Sequence, residues 1–86
     1  MKQNTSPDPL ANLVHLSTFI DGGGQITLGK LHPLPCVAVA SDNHNSLAML
    51  KRKPNETLYQ LLERLDAAIA KAQNENRFID EINTPR

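Results

Sequence analysis

The chain reads as an α+β domain: an antiparallel sheet of three to four strands, arranged as two hairpins, followed by one long amphipathic helix packed on a sheet face. Three observations predict this. Apolar residues recur at helical spacing from Leu58 to Ala72, behind a clear start signal. Short runs rich in β-formers occupy the segments before that helix. A glycine run after Asp21 and a polar stretch at residues 41–45 punctuate those runs as turns.

Met1 to Pro9 is polar and contains Pro7 and Pro9, so residues 1–12 read as a flexible tail, with the domain at 13–83 and a short tail at 84–86. Residues 10–20 fit two patterns. Leu10, Leu13 and Val14 have helical spacing, with Asp8 as a cap and Pro9 at the first helical position. Val14, Leu16, Thr18 and Ile20 alternate with His15, Ser17 and Phe19, which favours a strand over residues 14–20. Gly22, Gly23 and Gly24 then permit a tight reversal, because glycine adopts positive φ without a Cβ clash. Residues 25–28 alternate as the second strand of that hairpin. Leu31, His32, Pro33, Leu34 and Pro35 read as an extended connector, since a residue before proline is pushed out of the helical region.

Residues 36–40 and 46–51 form the second expected hairpin, joined by Ser41, Asp42, Asn43, His44 and Asn45. These strands are apolar on both faces, which suits a sheet with a helix on one side and a further body, such as a second subunit, on the other. Thr57 and Gln60 then make a capping box. Leu58, Leu61, Leu62, Leu65, Ala68, Ile69 and Ala72 share a stripe about 120° wide. Such a width suits a helix that covers its own sheet. The pattern lapses at residues 74–76, and Phe78, Ile79 and Ile82 follow, either as a terminal turn on the core or as a peptide for another chain.

Charge and composition narrow the function classes. Nine lysines and arginines balance nine aspartates and glutamates, so no global field draws the chain to nucleic acid or anionic membrane. Phe19, Tyr59 and Phe78 are the only aromatics, too few for base-stacking platforms. Cys36 is the single cysteine, which favours a reducing, cytoplasmic setting. No apolar run resembles a signal peptide or reaches bilayer length, so no membrane association is expected.

The chemistry-bearing residues do not converge on a catalytic or metal motif. His32 and Cys36, with His15 or His44, fall short of zinc-ligand spacing, and Pro33 and Pro35 exclude the helix that would align them. Ser41, Asp42 and His44 are triad residue types, yet as neighbours in one turn they are turn chemistry. The glycines lack the helix and lysine of a phosphate loop. No catalytic, cofactor-binding or metal residue is therefore expected. Lys51, Arg52 and Lys53 form the one basic run, placed for phosphate contact or to keep a strand end soluble. Glu63, Asp66, Glu75, Asp80 and Glu81 read as a solvated face.

The helix opening Glu56-Thr57-Leu58, its continuation Leu61-Leu62-Glu63-Arg64-Leu65-Asp66-Ala67-Ala68-Ile69 and the ending Phe78-Ile79-Asp80-Glu81-Ile82-Asn83 resemble small uncharacterised proteobacterial proteins of accessory or mobile genome regions. The resemblance spans about residues 26–83 and implies no particular activity. The Thr57-Leu58 opening is also similar in architecture to HicB-type antitoxins, whose sheet precedes such a helix. The expectation is a cytoplasmic, non-enzymatic protein-binding module, a homodimer, serving as an accessory or inhibitor factor of a bacterial or mobile-element system. The expected contact residues are Lys51, Arg52, Lys53, Phe78, Ile79 and Ile82. The alternative is a nucleic-acid-binding regulator using residues 51–53.

Overall fold

A computed structural model describes residues 9–43 and 45–83. One 3-10 turn, Pro9–Asn12, leads into helix α1, Val14–Asp21. Strands β1 (Gln25–Leu31), β2 (Leu34–Ser41) and β3 (Ser46–Lys51) follow, then helix α2 (Leu58–Glu75) and strand β4 (Ile79–Asp80). The strands lie in sequence order in one four-stranded sheet. β1, β2 and β3 are antiparallel, and β4 runs parallel to β3. The α+β class and the long helix on the sheet are as the sequence predicts.

The strand expected at residues 14–20 is instead α1. Leu13, Leu16 and Phe19 recur at three-residue spacing and all three are buried. A strand would have sent Leu16 and Phe19 to opposite faces. The first turn of α1 has no capping side chain of its own. Asp66 of α2 supplies one: its Oδ1 accepts the Leu16 N–H at 2.8 Å. A carboxylate at a helix N-terminus also meets the positive end of the helix dipole. Asp66 therefore does not belong to the solvated face assigned to it from sequence.

The glycine run ends α1 rather than turning a hairpin. The Gly22 N–H donates to the Thr18 carbonyl, Gly23 to Ile20 and Gly24 to Phe19, satisfying carbonyls that the helix end leaves open. Gly23 sits at φ +103°, and a Cβ on Gly24 would strike the Phe19 ring. The connector expected at residues 31–35 is also a turn. Leu31 pairs with Leu34 across His32 and Pro33, whose peptide bond is cis. The pairing of β1 with β2 is irregular between Gly29 and Leu31, where Gly29 has φ +136°. The two hairpins are thus β1–β2 and β2–β3, sharing β2.

The second turn follows its sequence chemistry. Asp42 N–H donates to the Asn45 carbonyl, and Asp42 Oδ1 accepts from the Asn45 N–H. His44 lies outside the described residues. The capping box of α2 is complete: Thr57 Oγ1 accepts the Gln60 N–H at 3.0 Å, and Gln60 Oε1 accepts the Thr57 N–H at 2.9 Å. Asn76, in the left-handed region, ends the helix.

The core lies between the helices and one sheet face. Ala38 pairs with Leu28 and Leu50, and Ala40 with Ile26 and Ala48. Ala38, Ala40, Ala48 and Leu50 are buried in one cluster with Leu61, Leu65, Ala68 and Ile69 of α2 and with Leu13, Leu16 and Phe19. Small residues beneath α2 let its leucines reach the sheet backbone closely. The intervening residues point to the other face, where Thr27, Val39 and Met49 stand in one row and Gly29, Val37 and Lys51 in the next. Val37 is fully buried there, outside the helix-side cluster.

Replacing Asp66 with alanine should cost about 1 kcal/mol, the usual worth of a helix cap, in urea unfolding. Amide exchange at Leu16 should rise while exchange within α2 stays unchanged.

Candidate functional site

Two regions carry the candidate contacts: the junction between β3 and α2, and the free edge of the sheet. The junction holds Lys51, Arg52 and Lys53, all exposed. Its organiser is Arg64, which projects from the polar side of α2. Arg64 Nε lies 2.7 Å from Glu56 Oε2, and Nη1 lies 2.9 Å from Glu81 Oε2. Nη2 donates to Glu56 Oε1 and to the Lys51 carbonyl. One guanidinium therefore ties the helix to the preceding loop, to the end of β3 and to the tail beyond β4.

The two carboxylates also hold backbone. Glu56 Oε1 accepts the Lys53 N–H at 2.8 Å, and Glu81 Oε1 accepts the Lys51 N–H at 3.0 Å. The Glu81 N–H donates to the Met49 carbonyl at 2.7 Å. The Glu81 side chain thus continues, along β3, the ladder that β4 begins. Glu81, like Asp66, leaves the solvated face assigned from sequence. Arg52 Nε donates to the Glu56 carbonyl, so its guanidinium is turned back on the loop.

The electrostatics follow from these contacts. The Arg64 guanidinium, then the Lys53 N–H, pull the Glu56 carboxyl down from 4.5 to about 2. Glu56 in turn raises Arg64 above its ordinary value. The Asp80 carboxyl is lowered by the N–H groups of Asn83 and Ile82, which it accepts as the chain turns away from β4. Two carboxylates standing among four cations leave the junction mildly basic.

Of the sequence-predicted contact residues, the structure sets Phe78 apart, beside Ser46 and Leu47 at the start of β3. Lys51, Arg52 and Lys53 stay together and line a cavity of about 410 Å³ with Pro35, Cys36 and Pro54. Ile79 lies half-buried against the core beside Ala48, so it is chiefly a structural residue. Ile82 is half-buried, and Phe78 is exposed. Among the described residues, no three histidine, cysteine or acidic side chains group as metal ligands. No described helix is long and apolar enough to cross a membrane.

The free edge is β1. It has β2 on one side and, among the described residues, no strand on the other. Its side chains Leu28 and Leu31 are 42% and 45% exposed. The large exposed apolar residues among those described lie on the Pro9–Asn12 turn, α1, β1, the start of α2 and Phe78. Sequence reasoning missed Glu56, Arg64 and β1 as site elements. The only signal for the first two was their opposite charge.

Comparison with models of protein families, with curated proteins and with solved structures returns no match.

Replacing Glu56 with glutamine tests the junction. Glu56 has a depressed folded-state pKa, so its stabilisation is present above the unfolded value of 4.5 and is lost as pH falls toward about 2. The variant should be less stable by about 1–2 kcal/mol at neutral pH, allowing for the partial exposure of Arg64. The gap should close as unfolding is repeated from about pH 5 down to pH 2.

Proposed function

We propose that this chain is a non-enzymatic protein-binding module that works as a homodimer. The observation that carries the reading is the open β1 edge with its exposed leucines. An unpaired strand presents backbone donors and acceptors that another chain can satisfy, and apolar side chains beside it add burial to that pairing. A small domain with no disulfide also gains stability from association. The resemblance to small accessory proteins and, in architecture, to HicB-type antitoxins suggests the biological setting: a small inhibitor or accessory factor of a bacterial or mobile-element system.

A nucleic-acid-binding regulator is the second reading, favoured by Lys51, Arg52 and Lys53 exposed side by side. Weighing against it, Arg52 is turned onto the Glu56 carbonyl, and Glu56 and Glu81 stand in the same junction. Those carboxylates offset part of the positive charge that a phosphate backbone would meet.

Light scattering distinguishes the main reading: at micromolar concentration the protein should have twice the mass of one chain. A monomer there would overturn the homodimer. Salt-sensitive DNA or RNA binding, abolished by replacing Lys51, Arg52 and Lys53 together with alanine, would instead support the second reading.

A further inference from the structure

We propose that the homodimer forms by antiparallel pairing of β1 with β1 of a second copy, about a two-fold axis at Thr27. This inference rests on the homodimer reading and adds the interface and its register.

The two edges of the sheet are unlike. β4 is two residues long, Glu81 alone extends its contact with β3, and the chain then turns away, with Asp80 Oδ1 accepting the Ile82 and Asn83 N–H groups. Short edges that turn away resist pairing. β1 is seven residues long. Its far half carries the usual defences of an edge, a lysine and an irregular register, at Gly29 and Lys30. Its near half, Gln25, Ile26, Thr27 and Leu28, carries neither charge nor proline.

The occupant follows from self-complementarity. A strand edge placed antiparallel to its own copy is related to it by a two-fold axis, which makes the interface isologous and closed. With the axis at Thr27, each residue faces the one equally far on the other side. Thr27 meets Thr27 of the second copy, a favourable hydroxyl pair. Ile26 meets Leu28 on the helix-side face, and Leu28 meets Ile26, so the exposed Leu28 of each copy is covered by the other copy's Ile26. Gln25 meets Gly29, and Lys30 meets Gly24, so neither long polar side chain is opposed by bulk. Other registers lack this match: moving the axis to Leu28 places Lys30 against Ile26.

The pairing doubles the four-stranded sheet into one continuous sheet and leaves each helix pair over its own half. The exposed Leu28, the uncharged half-strand and the defended opposite edge thus have one common explanation.

Cysteine crosslinking tests the register. In a Cys36→Ser background, Thr27→Cys places two thiols across the axis, at a Cα separation that a disulfide spans. Under mild oxidation it should give at least about tenfold more disulfide-linked dimer than Leu58→Cys, an exposed position on α2. A second variant keeps the native Cys36: Thr27→Lys opposes two like charges and should weaken dimerisation by at least about tenfold without unfolding the monomer. If light scattering finds a dimer while Thr27→Cys fails to crosslink and Thr27→Lys still dimerises, the β1 register is wrong and the homodimer reading stands. If the wild type is a monomer, the reading beneath it fails.

Discussion

The packing of α2 on a floor of alanines is the constraint from which the rest of the structure follows. Ala38, Ala40 and Ala48 leave room for Leu61, Leu65 and Ile69 to seat directly on the sheet. A larger residue in that floor would lift the helix and open the core. Once α2 is seated, its length sets which parts of the chain can be reached from it. The start of the helix overlies the end of β3, and its later turns run beside α1.

Two polar side chains extend that reach. Asp66 caps α1, an element of eight residues that is too short to persist on its own. Arg64 gathers Glu56, Glu81 and the Lys51 carbonyl, and so fastens the tail as a fourth strand. Neither contact is large in free energy beside the buried leucines. Their role is to convert one well-packed helix into an arrangement that also specifies the positions of α1 and β4. The same arrangement draws two carboxylates into the basic junction and so moderates the charge that Lys51, Arg52 and Lys53 would otherwise present.

What was legible in the sequence was local. α2 announced itself through Thr57, Gln60 and a stripe of even spacing, and the β2–β3 hairpin through Asp42 and Asn45. Residues 14–21 did not, because Val14, Leu16, Thr18 and Ile20 satisfy a period of two as well as Leu13, Leu16 and Phe19 satisfy a helix. The deciding cap comes from Asp66, fifty residues away. Glycines that end a helix look the same as glycines that turn a hairpin. Pro33 and Pro35 disguised a tight turn as a connector. The basic run is legible in the sequence, but its acidic partners are not, since Glu56 and Glu81 meet Arg64 only in the folded chain. The open β1 edge is not legible in the sequence, because a strand at residues 14–20 would give β1 a second neighbour. Because that segment is a helix, β1 is left open, and the candidate interface exists for that reason.

The most direct measurement of this account is site-resolved amide exchange in the Leu65→Ala variant, under conditions where the protein remains folded. If α2 organises the molecule, protection should fall together, and by a similar free energy, at Leu16 in α1, at Leu50 in β3 and at Glu81 beyond β4. Protection lost within α2 alone, with Leu16 and Glu81 unchanged, would show that α1 and the tail hold their places without it and would contradict the account.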